Sequence, residues 1–313
     1  MEVNCAGCAG CCLDWRPLVA DSDRDAESTG IDHERRGPRA PLDDTYNLVA
    51  LTRDEIRAFL EAGLGDVLTP RLWEADPDRD DDSLEIDGHR IAAVAGRPAF
   101  FVGLRKPPKP VAPFGREEPA WLPTCVFLDP STLQCRIHGD DLYPEECADY
   151  PAHNLELAQE TECERVEDAM GGTRLLDADP GDGEGLSELL FGPQAIGQKL
   201  FTHPEPDELA GLVDRVAHNE PTPADRAEFV ATAAASSPGT FATSDYHYEQ
   251  ARARVLEADS WAGRAIDEWR RRVDEKPDTG LASAVEDARG APPTPGWDAL
   301  EGRRENDGGE RND

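Results

Sequence analysis

Residues 4–12 read NCAGCAGCC, so four thiols fall within nine residues. No other stretch restricts the possible folds as much. A C-x-x-C turn brings two sulfurs to one ion, because two intervening residues let the chain curl with its amides pointing at the thiolates. Two such turns overlap here as C-x-x-C-x-x-C, and Gly7 and Gly10 allow tight wrapping. Three sulfurs at this spacing can grip three corners of one cluster. Cys11 and Cys12 are adjacent, and neighbouring side chains diverge, so one of the pair serves a second metal, a bridge or redox chemistry. Closing a four-coordinate site with this run alone is awkward, and remote ligands are expected.

The chain has eight cysteines in all. Cys125 and Cys135 lie in TCVFLDPSTLQCRI (124–137), which reads as two short strands around the turn DPST. Cys147 ends DDLYPEEC (140–147), which reads as a helix start with Pro144 in its first turn and carboxylates at the positive end of the dipole. Cys163, in ETECERV, is either a further ligand or a small buried hydrophobe. The candidate metal ligands are therefore Cys5, Cys8, Cys11, Cys12, Cys125, Cys135, Cys147 and Cys163. Zinc suits them, and so does an iron-sulfur cluster, with 4Fe-4S favoured because C-x-x-C-x-x-C with remote partners fits a cubane better than a tetrahedral ion. His138, Asp140 and Asp141, in IHGDD between two of these cysteines, are the titratable candidates for catalysis, against a plainer reading as helix cap and solvated imidazole.

CAGCAGCC resembles the C-x-x-C-x-x-C-C motif of the YkgJ-type cysteine-cluster family, described as zinc- or iron-chelating proteins. The downstream block is similar too: Cys125 with Phe127 and Leu128, Cys135 with Ile137, Pro144, Cys147, and Tyr150 with Pro151. Tyr143 and Ala148 depart from the pattern, standing where that family tends to have arginines. The resemblance implies a metal-binding protein with no evident catalysis. A similar branch, described as flagellin lysine N-methylases coupling methyl transfer to an iron-sulfur protein, implies the alternative of a cluster-dependent protein-modifying enzyme. The residues themselves supply no G-x-G-x-x-G after a strand and no H-E-x-x-H, and GDGEG (181–185) reads as a turn.

Charge narrows the partners. There are 65 acidic against 32 basic residues, a formal charge of −33, and the only lysines are Lys106, Lys109, Lys199 and Lys276. Such a surface strains the compact state by self-repulsion unless salt screens it, and the Debye length is about 3 Å at 1 M. The composition predicts adaptation to a very salty cytoplasm, with folding that depends on KCl. It also argues against nucleic acid and anionic membranes as partners. No apolar run reaches the roughly 18 residues of a membrane span, and the N-terminus lacks the basic and apolar regions of a signal peptide, so a cytoplasmic protein is expected. Thiols stay reduced there, which favours metal or redox chemistry over a disulfide framework.

The expected class is α+β: a small irregular cysteine-cluster domain centred on metal (1–175), a mostly helical region (176–275) and a disordered acidic tail (276–313). Residues 14–44 read as a surface connection. A capping box at Thr52 and Glu55 predicts a helix carrying Ile56, Phe59 and Leu60 and ending near Gly63. After an acidic loop (74–83), SLEIDGHRIAAV (83–94) predicts a hairpin about Asp87-Gly88, RPAFFVGL a further strand, and proline-rich KPPKPVAPFG (106–115) a covering loop. TPADRAEFVATAAA (222–235) predicts a helix capped by Thr222. Tyr248, Ala251, Val255, Ala258, Ala262, Ala265, Trp269 and Val273 predict one long helix whose apolar face packs on its own domain or receives a protein partner.

Overall fold

Local capping and alternation place most of the regular elements where the sequence puts them. The computed structural model describes residues 2–20, 40–76, 82–156, 160–177 and 195–296. The turn at 181–185 and the tail beyond 296 lie outside the described residues, as do parts of the 14–44 connection and of the acidic loop.

Strand β1 (Glu2–Val3) is followed by a single 3-10 turn (Gly10–Cys12) and the short helix α1 (Arg16–Ala20). Residues 14–20 are less superficial than predicted, for Trp15 and Leu18 are buried. Helix α2 (Arg53–Glu61) starts from the expected capping box: the Thr52 hydroxyl accepts from the Glu55 amide, and the Glu55 carboxylate accepts from the Thr52 amide at 2.7 Å. Its Ile56, Phe59 and Leu60 are buried.

The main sheet is antiparallel. It contains β2 (Leu68–Leu72), the predicted hairpin β3 (Ser83–Ile86) and β4 (His89–Val94), and β5 (Arg97–Leu104), in the order β2-β5-β4-β3. The covering loop needs correction. Residues Pro108–Val111 form strand β6, paired antiparallel with β7 (Ala120–Pro123). A two-stranded sheet is all edge, and Pro108 and Pro110 alternate with Lys109 and Val111, so the missing amides need not lie on the bonded side.

Three short helices follow: α3 (Glu145–Asp149), α4 (Ala152–Glu156) and α5 (Glu162–Met170). Pro144 is the cap of α3 rather than a first-turn residue. Around DPST a single bridge between Leu128 and Cys135 replaces the two strands expected, because Asp129 turns the chain at once by accepting from the Ser131 and Thr132 amides. Strand β8 (Leu175–Asp177) returns to pair with β1, and β9 (Phe201–Thr202) adds to β5.

After α6 (Leu212–Ala217) comes α7 (Pro223–Ala235), capped by Thr222 as predicted and buried along most of its length. It packs on β2, β5 and β9 and on α2. Phe229 meets Phe100 edge-on at 5.0 Å, and Phe100 meets Phe201 at 5.7 Å. Each such ring is worth roughly 1.5–3 kcal/mol when fully buried.

The predicted long helix is two, α8 (Asp245–Glu257) and α9 (Trp261–Arg272). Ala258 is extended, and Ser260 caps α9 by accepting from the Gly263 amide at 2.9 Å. Asp66 fixes that cap, accepting from the Ser260 amide and hydroxyl at 2.9 and 2.7 Å. The apolar face survives the break: Ala251, Val255, Ala262, Ala265 and Trp269 are buried within the chain.

The tail also needs correction, since Thr279–Ala288 is helix α10, started by the Asp278 carboxylate accepting from the Gly280 amide. Glu286, fully buried, holds it in place. One apolar core runs from Cys8 and Leu13 through the sheet and α7 to Val285. The class is α+β, as expected.

Candidate functional site

The cysteine run curls as its spacing predicts. Gly7 takes a positive φ of 67° and Ala9 one of 58°. The Cys8 amide donates to the Cys5 carbonyl at 3.1 Å, and the Cys12 amide to the Ala9 carbonyl at 2.9 Å. The Gly10 amide points at the Cys8 sulfur, 3.4 Å away. A Cβ at Gly10 would lie 2.7 Å from Cγ2 of Val166 on α5, so any side chain there would have to displace Val166. The turn therefore sits directly on α5.

A buried carboxylate fastens that contact. Glu162, the first residue of α5, accepts from the Trp15 indole and the Tyr46 hydroxyl, both at 2.5 Å. The next residue is Cys163, buried, on a helix whose start is fixed by a second capping box, Thr161 with Glu164. The pattern T-x-x-E was present in the sequence and would have identified this helix.

On its other side the turn meets the downstream block. The Cys125 amide donates to the Cys12 carbonyl at 2.7 Å, and Leu13 bridges Thr124. The Leu128–Cys135 bridge returns Cys135 towards Cys125. A buried ion network backs this hairpin. The Lys109 ammonium donates to the carbonyls of Val126 and Leu128 at 2.8 and 2.6 Å and pairs with Glu286 at 2.8 Å. Arg136 joins Glu286 at 2.6 Å and Asp129 at 2.9 Å. Cys147 lies in α3, its carbonyl accepting from the Tyr143 hydroxyl at 3.3 Å.

None of the eight cysteines is in a disulfide. Burial pushes the Cys11 thiol well above its ordinary range, and the charges of Cys12, Cys163, Cys5 and Cys8 add to it. Cys163 is pushed up to about 12 by burial and then by Cys5 and Cys8. Cys12 rises to about 12 through burial and then Cys125, with Lys106 pulling the other way and Cys5 and Cys8 adding to the rise. Cys135 is raised by burial, Cys125 and Cys12; Cys147 is raised by burial, Cys12, Cys125 and Cys135. The Lys106 ammonium is buried with no hydrogen-bond partner, and Cys125 and Cys12 are the first of the charges acting on it. Sequence reading missed it; two of the chain's four lysines in KPPK were the available signal.

Among the described residues, no three His, Cys, Asp or Glu side chains close around one point as the ligands of a metal ion would. The donor set nonetheless suits a metal. Thiols gathered in this way repel one another when ionised, an amide points at one sulfur, and an unpartnered ammonium lies beside two of them.

Neither Asp140 nor Asp141 caps α3, whose cap is Pro144, and the His138 ring is half-buried rather than solvated. Asp140 and Asp141 are exposed, and Asp140 accepts weakly from the Leu142 amide at 3.4 Å; the His138 ring lies 4.8 Å from that of Tyr143. A cleft bordered by α2, α7 and α8 is lined by Arg57, Glu61, His247 and Arg254 and includes no cysteine. Among the described residues no helix is long and apolar enough to cross a membrane.

Residues 1–298 match the model of a family of unknown function, DUF7531. No curated protein and no solved structure matches the chain.

Proposed function

Starting from the chain's membership of DUF7531, we propose that this is a metal-binding protein whose cysteine thiolates hold zinc or an iron-sulfur cluster. One observation carries the reading: segments far apart in sequence bring cysteines to a single 3-10 turn, none of them in a disulfide, and there burial and neighbouring thiolates raise the proton affinity of Cys11, Cys12, Cys135, Cys147 and Cys163. Side chains that repel when ionised gain most from a cation among them, which removes the repulsion and displaces the protons. A change of χ1 rotamer moves a sulfur without moving the backbone, so closure on a metal asks little of the fold. The similarity of CAGCAGCC to the YkgJ-type motif supports the same conclusion.

Zinc would supply structure, and an iron-sulfur cluster would add one-electron chemistry. Anaerobic purification separates the two. A brown protein bleached by dithionite and containing iron and sulfide identifies a cluster, and a colourless one with stoichiometric zinc identifies the structural ion. Protein with neither metal, and unable to take up either after reduction, refutes the reading. Loading should release protons and weaken as pH falls, because every ligand must lose its proton first.

A further inference from the structure

The division of the thiols around Cys11 and Cys12 goes beyond metal binding as such. We propose that the chain holds two separate four-sulfur metal sites, one made by Cys5, Cys8, Cys11 and Cys163 and the other by Cys12, Cys125, Cys135 and Cys147, with the Cys11–Cys12 peptide as the partition between them. The inference rests on the thiolate metal-binding reading and adds to it the number of sites and the ligands of each.

The geometry of the turn comes first. Cys11 and Cys12 both lie in the 3-10 turn Gly10–Cys12, where successive side chains diverge by about 120°. They cannot both face one ion without unwinding it. What lies on the two sides is fixed independently. On one side Gly10 touches Val166 of α5, and Trp15 and Tyr46 hold Glu162, so the first turn of α5 presents Cys163 to the 5–11 curl. On the other, the Cys125 amide bonds the Cys12 carbonyl, Leu13 bridges Thr124, and the Leu128–Cys135 bridge folds Cys135 back. The electrostatic neighbours of the outer thiols follow the same division, Cys163 feeling Cys5 and Cys8 and Cys147 feeling Cys12, Cys125 and Cys135, while Cys11 and Cys12, at the boundary, feel charges from both sides.

The two sites differ in surroundings. The first includes Cys5, which is exposed. The second lies beside the buried, unpartnered ammonium of Lys106, which offsets the negative charge left when four thiolates bind a divalent ion. The first site is therefore the one that yields its metal more readily.

The test uses the full-length, reduced, metal-free chain titrated anaerobically with Zn²⁺, followed by alkylation and mass-spectrometric mapping of each cysteine. Two zinc ions per chain are expected. On gradual removal by a chelator, Cys5, Cys8, Cys11 and Cys163 should become reactive together, before the other four. Cys163→Ser and Cys147→Ser should each bind one zinc and expose three further thiols, those of their own group only. Lys106→Met should weaken the second site and leave the first unchanged. Because mapping the unaltered protein gives the same partition, the result does not depend on the variants folding. One zinc per chain, or protection in which Cys163 and Cys147 respond as one group, overturns the partition and leaves metal binding standing. No zinc bound, with all eight thiols equally reactive, overturns both.

Discussion

The two halves of the core are built on different principles. Around β5 and α7, stability comes from rings and aliphatic side chains: Phe100 meets Phe229 edge-on and Phe201 at a tilt across sheet and helix, and α7 is buried along most of its length. Around the cysteines, single bridges, a 3-10 turn and short helices replace regular structure, and buried polar pairs replace much of the apolar packing. The first region is held by apolar packing, whereas the second, joined to it through the same core, gathers thiols that repel each other when ionised. On the proposed reading, it is the second region that depends on a metal.

Metal removal is the largest way to break this comparison. Structural zinc contributes on the order of 10 kcal/mol or more in peptide hosts. Chelation should abolish hydrogen-exchange protection around residues 8–15, 125–136 and 162–170, while β5 and α7 keep theirs. Equal loss in both regions would show that they stand or fall together.

Core substitutions come next. Phe229→Ala should cost about 3–5 kcal/mol in denaturant unfolding and leave metal content unchanged. Glu286→Gln should cost a similar ~3–5 kcal/mol, because it strips the buried Lys109 and Arg136 of their carboxylate. Its effect should fall on the exchange of residues 125–136, the hairpin those cations support.

Acid should act through Asp43. Burial raises its carboxyl, but the charge of Arg71 and two hydrogen bonds from it, at 2.9 and 2.7 Å, outweigh burial and leave the group below its usual range. A carboxylate depressed in the fold contributes stability above its unfolded value, about 3.9, and loses it as pH falls through the folded value. Unfolding monitored against pH should show stability falling below about pH 4, with Asp43→Asn flattening that limb. The smallest effect sharpens the comparison most. Thr161→Ala and Thr222→Ala each remove a cap worth about 1 kcal/mol, yet only the first should speed alkylation of Cys163.

Features written in short stretches of sequence were legible. The boxes at Thr52 and Thr222 and the turn at Asp87-Gly88 each require only a few neighbouring residues. The curl of the cysteine run was legible for the same reason. What escaped depends on distant partners. The break between α8 and α9 is set by Asp66, nearly two hundred residues before Ser260. Helix α10 has a weak apolar pattern and is fixed by Lys109 and Arg136. Cys163 looked isolated because what pairs its helix with the cysteine turn is Val166 against Gly10, a contact without a sequence signature.

The placement of the lysines has a consequence for chemistry performed on this protein. Lys109 and the ammonium of Lys106 are interior, Lys199 is partly exposed and paired with Glu146 at 2.7 Å, and Lys276 is exposed. To an acylating reagent or an amine cross-linker the folded molecule offers, as side-chain amines, only Lys276 and the partly exposed Lys199. Modification at Lys106 or Lys109 would record that the interior had opened, so the fold carries its own covalent reporters of breathing beside the thiols.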